Sequence, residues 1–230
     1  MTQIPRSRDL PDVSSLVVGV LGGTGDQGRG LARRLGAAGQ KVIIGSRSAE
    51  RAAQAAAEVG TAEGAAVSGA TNAECARAAD VVIVAVPWDG HRATLEALTA
   101  ELAGKIVVDC VNPLGFDAQG AYALTVEEGS AAQQAAAVLP GSRVVAAFHH
   151  VSAVLLNDPA VQRVDTDVMV LGDDREATDI AQALAGRIPG MRGVYAGRLR
   201  NAHQVEALTA NLIAVNRRYK AHAGLRVTDV

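Results

Sequence analysis

Aromatic residues are scarce in this chain: one Trp, three Tyr and two Phe, 3% of 230 residues. Large rings therefore cannot fill the interior. Ala, Val and Leu must do so, and an apolar content of 49% supplies them. An excess of one charge is missing too, since 22 Lys and Arg stand against 24 Asp and Glu, a net charge of -2. That balance leaves no electrostatic footprint for nucleic acid or an anionic membrane surface. The two cysteines, Cys75 and Cys110, match no metal-ligand spacing. No metal centre is expected, and both read as buried thiols. No apolar run approaches the roughly 20 residues that span a bilayer. The first fifteen residues carry Pro5, Pro11 and several charges but no apolar core, unlike a signal peptide. A frayed extension over 1–15 and a cytoplasmic protein are the expectations.

What is present centres on Leu16 to Arg34, where an apolar run ends in glycines and a helix-friendly segment follows. Gly23, Gly25 and Gly28 fit G-x-G-x-x-G. Gly23 permits the turn, Gly25 lets a pyrophosphate approach the backbone, and Gly28 lets helix and strand pack closely. The helix N-terminus then offers unpaired N–H groups to phosphate. Further strands are expected at 41–45, 65–68, 81–86, 105–109 and 143–148, with helices at 27–38, 49–59, 72–79, 90–102 and 131–139. The stretch 112–129 is glycine-rich and reads as irregular. Strand and helix alternate through short connections, which predicts an α/β fold, a Rossmann-like doubly wound parallel sheet over 16–150. A small α+β C-terminal domain is expected over 151–230, with strands at 167–172 and 193–196 and helices at 175–187 and 201–222. On the last helix, Val205, Leu208, Leu212, Val215 and Tyr219 share one face, which suits a core stripe as well as a homodimer seam.

The end of the second strand selects the dinucleotide. Roughly twenty residues after Gly23 lie Ser46 and Arg47, with Arg51 a turn further on and no Asp or Glu between Gln40 and Ala49. A hydroxyl and two guanidiniums suit a 2′-phosphate, so NADP is expected. Ser46 would also cap the next helix. Groups for proton transfer are few at the strands' carboxyl ends: His91, Asp109, Asn112, His149 and His150, none with a partner at a fixed spacing. That poverty points to a redox partner that manages its own proton.

Gly-Gly-Thr-Gly at 22–25, Gly-Ser-Arg at 45–47, Val-Pro-Trp at 86–88, Lys-Ile-Val-Val at 105–108, Gly-Asp-Asp at 172–174 and Glu-Ala-Leu-Thr at 206–209 carry a resemblance. From Leu16 to Val227 the chain resembles the NADPH-dependent reductases of the deazaflavin coenzyme F420. The resemblance implies reversible, direct hydride transfer between nicotinamide C4 and deazaflavin C5. It also implies a homodimer whose C-terminal part completes the deazaflavin pocket, with no catalytic side chain. It puts NADP(H) contacts on Thr24, Gly25, Asp26 and Gln27, on Ser46, Arg47 and Arg51, and on Val86, His91 and Asn112. Ala153 falls beside the nicotinamide and Leu225 on the deazaflavin. There are departures. Pro-Trp-Asp-Gly-His has one residue more before its histidine than the family pattern, and His150 and Ser152 stand where less polar residues are expected. Two rival readings of the residues are an NADP-dependent dehydrogenase or imine reductase of a small metabolite and a non-catalytic NADPH sensor.

Overall fold

The computed structural model describes residues 10–60 and 65–230. In chain order, β1 is Val17–Leu21, α1 Asp26–Ala37, β2 Lys41–Ser46, α2 Ala49–Val59, β3 Val67–Thr71, α3 Asn72–Ala78 and β4 Val81–Val84. The chain continues through α4 His91–Glu96, α5 Thr99–Leu102, β5 Ile106–Asp109, β6 Leu114–Asp117, β7 Gly120–Ala123, α6 Ala131–Val138 and β8 Arg143–Ala146. Then follow α7 Ala153–Asn157, β9 Thr166–Gly172, α8 Arg175–Arg187, β10 Met191–Gly197 and α9 Ala202–Tyr219.

Eight strands form one sheet in the order β10-β9-β8-β5-β4-β1-β2-β3. Every pairing is parallel except β8 with β9, which is antiparallel. From β1 the chain steps outward to β2 and β3, then returns to β1's other side as β4. The order reverses between β1 and β4, and a doubly wound sheet opens its ligand crevice at the carboxyl ends there. β4 shows why the sheet is covered on both faces. Its four residues are all buried; Val81 and Ile83 join one core with α1, α2 and α8, while Val82 and Val84 join the other with α3 to α6 and α9.

Several expectations are corrected. The stretch 90–102 is not one helix but a short 3-10 turn at Trp88–Gly90 followed by α4 and α5. The strand expected to reach Val86 ends at Val84. The irregular 112–129 segment contains the antiparallel hairpin β6–β7. Of the expected extension 1–15, residues 1–9 lie outside the described residues, whereas Val13 is buried and its carbonyl accepts from Leu16 N–H and the Gln40 amide. The residues after 150 are α+β, and their strands β9 and β10 add to the edge of the main sheet rather than forming a second one.

Candidate functional site

The glycine loop follows β1 directly. Gly22 turns with φ +71°, and a Cβ there would lie 2.7 Å from the Ala85 carbonyl oxygen. Gly23 N–H bonds the Gly45 carbonyl at 3.2 Å, stitching the loop to β2. At Gly28 a Cβ would meet Gly23 Cα at 2.8 Å, so helix and loop touch through bare backbone. Gly25 differs. It is exposed, and a Cβ there would meet nothing closer than 3.4 Å. It is also the N-cap of α1 and brings no side-chain bond. The first turn of α1, Asp26 and Gln27 included, thus presents N–H groups and the positive end of the helix dipole to open space. Thr24 contributes its carbonyl to Arg29, which fixes the loop from behind.

The selectivity corner stands at the end of β2. Ser46 is buried, and Arg47 and Arg51 are exposed. The expected cap is corrected: Ser48, not Ser46, is the N-cap of α2, its hydroxyl accepting from Arg51 N–H. The Ser46 hydroxyl instead accepts from Ser48 N–H at 3.4 Å.

At the switch point a cavity of about 210 Å³ is lined by Gln27, Ala85, Val86, Trp88, Asn112 and His149 among others. Gln27, Val86 and Asn112, which the resemblance puts against NADP(H), all line this cleft. Gln27 donates to the Phe148 carbonyl at 3.2 Å, and Asn112 donates to the His149 carbonyl at 2.8 Å. Asn112 Oδ1 and both ring nitrogens of His149 are buried without a hydrogen-bond partner among the described residues. Phe148 holds φ +64°, an unfavourable conformation for a bulky residue, and turns the chain out of β8 into this wall.

His91, which the resemblance puts against NADP(H), turns its side chain away from the cleft. Its ring is fully buried, and both ring nitrogens are occupied, Nε2 by Asp109 Oδ2 at 2.6 Å and Nδ1 by Gln134 Oε1 at 2.9 Å. Nothing on the ring remains for a ligand. Trp88 and His149 also line the cleft.

Ala153 opens α7, whose N-cap Ser152 accepts from Leu155 N–H. This short helix lies on α1 because Gly30 leaves room: a Cβ there would stand 2.5 Å from Leu156 Cβ. Arg34 then gathers the carbonyls of Leu155, Leu156, Asp158 and Val161. Asn157 donates to the Asp26 carbonyl at 2.8 Å, tying this segment to the phosphate loop. Leu225 does not reach the larger cleft. Its N–H and carbonyl bond Thr166 Oγ1 and Asp167 N–H, and Asp167 is itself held by Arg192 and Arg226. The preceding residues Ala223 and Gly224 share a second, small pocket with His150 and Ser152.

Residues 17–113 match the family described as NADP oxidoreductase coenzyme F420-dependent. An F420-dependent NADP reductase from Methanothermobacter marburgensis is 42% identical over 221 residues, 93% of this chain and 98% of its own. The chain belongs to this family. A second F420-dependent NADP reductase, from Methanocaldococcus jannaschii, is 39% identical over the same shares of both chains. Among solved structures, a putative F420-dependent NADP reductase from Arthrobacter sp. FB24 matches with a TM-score of 0.77 at 27% identity, covering 93% of this chain and all of that one. A pyrroline-5-carboxylate reductase from Coxiella burnetii, 17% identical with a TM-score of 0.60, shares the fold alone.

Membership in the F420-dependent NADP oxidoreductase family implies NADP(H) and coenzyme F420 as its coenzymes. The residues fit the first. Gly25 leaves open the space a Cβ would narrow, α1 is uncapped, and Asn112 and His149 offer orphaned polar atoms to the cleft.

Proposed function

We propose that this protein transfers a hydride directly and reversibly between C4 of the NADPH nicotinamide and C5 of the F420 deazaflavin. When bound, the two coenzymes supply the redox chemistry, and the proton that balances reduced F420 comes from solvent. The protein's share is orientation and exclusion of water. The N–H groups at Gly25 to Gln27 would hold the pyrophosphate. Ser46, Arg47 and Arg51 would hold the 2′-phosphate through charge-assisted bonds. Val86, Asn112 and Ala153 would set the nicotinamide's place. The C-terminal portion, with Leu225 and the segment strapped to β9, would complete the deazaflavin side. His149 and His150 would direct ring nitrogens to polar edges of the stacked rings.

The observation that carries this reading is what the cleft walls do not hold. Of the cleft-lining residues, only Cys110 and His149 titrate. Burial pushes the Cys110 thiol up, and burial pushes His149 down to about 4. Near neutrality Cys110 stays a weakly acidic thiol and His149 an uncharged, weakly basic imidazole, both poor proton carriers, so the cleft suits hydride transfer without side-chain acid–base catalysis. We extend the reading to a cytoplasmic homodimer. Support comes from two free buried thiols and from exposed Phe116, Tyr122, Val215 and Tyr219 on the β6–β7 hairpin and α9.

The test is spectrophotometric. Purified protein, NADPH and oxidised F420 are expected to bleach the deazaflavin's visible absorbance. Turnover of a small imine or carbonyl with no bleaching would make the protein a metabolite reductase. Tight NADPH binding with no acceptor turned over would make it a sensor.

A further inference from the structure

His91 is buried behind the cleft, yet its partners reach both of the cleft's walls. Its ring centroid lies 5.6 Å from that of Trp88, tilted by 31°. Its partner Asp109 ends β5 and uses its other oxygen, Oδ1, to accept Val111 N–H at 3.0 Å. Trp88, Val111 and Asn112 all line the cleft.

The hydrogen-bond directions decide the ring's charge. Gln134 Nε2 donates to Glu128 Oε2 at 3.2 Å, and a carboxylate only accepts. The Gln134 oxygen therefore faces His91, so Nδ1 must carry a hydrogen. Asp109 Oδ2 faces Nε2 at 2.6 Å, and imidazole is a stronger base than a carboxylate, so the shared hydrogen belongs on Nε2. A ring between two acceptors is an imidazolium. We propose that His91 is a positioning residue held as a buried imidazolium, which fixes Trp88 by a cation–π contact and the Asp109–Asn112 turn by an ion pair, and so shapes both walls of the NADP cleft.

The surroundings agree. Asp109 faces the ring from β5 and Gln134 from α6, and Glu206 on α9, itself raised by burial to about 7, adds an attraction as it ionises. One bond further out, Glu128 is paired with Arg92. Burial opposes the charge, but Asp109 and the two hydrogen bonds outweigh it and raise His91 above the ordinary imidazole range. Such a pair serves geometry more than stability, because both ions were taken out of water to form it.

Trp88 is the chain's single tryptophan, so its fluorescence reads the neighbouring ring without any coenzyme. A protonated imidazole quenches an adjacent indole. In the apo protein, Trp88 emission is expected to stay quenched through the ordinary imidazole value and to rise only at higher pH. In Asp109→Asn, which removes the counter-charge and keeps the shape, emission is expected to rise through neutrality. A sigmoidal rise in the wild type centred on the ordinary imidazole value would overturn the proposal. Nitrogen NMR of labelled imidazole rings is independent of whether the variant folds. One of the five histidines should keep both ring nitrogens protonated above the ordinary imidazole value; none doing so would also overturn it. Only the last arm rests on this being the NADP cleft. Asp109→Asn should weaken NADPH binding about tenfold, a charged hydrogen bond's worth. Unchanged NADPH affinity in a variant whose ring has turned neutral would refute the positioning role while leaving hydride transfer intact.

Discussion

Two histidine sites lie at nearly equal depth and carry opposite states. His91 is 0% exposed, His149 3% and His150 4%. His91 has an acceptor on each nitrogen and is charged. The ring nitrogens of His149 and His150 have no hydrogen-bond partner among the described residues, and burial pushes each ring down to about 4. Burial does not decide an imidazole's charge; the acceptors around it do. The saturated ring stands behind the cleft wall as part of the scaffold. The orphaned rings face the two cavities, where an incoming ligand can supply what the protein withholds.

The contrast breaks most visibly at the saturated site. Asp109→Ala breaks this buried pair and leaves both His91 Nε2 and Val111 N–H without an acceptor, and should cost about 3–5 kcal/mol in denaturant unfolding. Acid acts on the orphaned site. The unfolded chain protonates His149 and His150 near the ordinary value of 6.5, whereas the folded chain resists until about 4. Within that window the unfolded state binds more protons, so stability falls as pH drops, by roughly 3 kcal/mol for each ring at the low end. The double variant His149→Asn with His150→Asn should flatten this acid limb in thermal unfolding. His91 has the opposite sign: its raised value gives stability that is complete below 6.5 and lost as pH climbs through the folded value.

A third measurement sets both buried sites against the exposed guanidiniums. Arg47→Glu and Arg51→Ala should each raise the NADPH KM about tenfold or more and leave NADH nearly unchanged. Equal losses for both cofactors would remove the selectivity role from this corner. The smallest effect belongs to an orphan. His150→Leu breaks no bond, so folding stability near neutrality should move by less than about 1 kcal/mol. A loss as large as that of Asp109→Ala would erase the distinction between the two sites.

The same contrast marks what could be read from the residues alone. Local signals carried far. α2 and α8 occupy the spans that their apolar spacing and flanking residues indicated. The glycine loop stands where its turn chemistry required. The hairpin β6–β7 went unread because its strands are four residues each and half-exposed, although Asp117, which accepts from Gln119 and Gly120 N–H, marks the turn. α7 has five residues and owes its place to Arg34 and Gly30, more than 100 positions upstream. No spacing rule reaches that far. His91 was legible as a histidine near the cofactor end of the sheet. Its partners come from β5 and α6, so only the packed fold turns it inward.

The most direct test of the central claim follows the transferred atom. NADPH carrying deuterium at the donated C4 position is mixed with the protein and oxidised F420, and the reduced deazaflavin is examined by NMR and mass spectrometry. Direct transfer in a cleft without a proton-exchanging side chain predicts the deuterium at C5 of the deazaflavin, undiluted by solvent hydrogen. Deuterium recovered in water, or F420 reduced with hydrogen from solvent at C5, would contradict it.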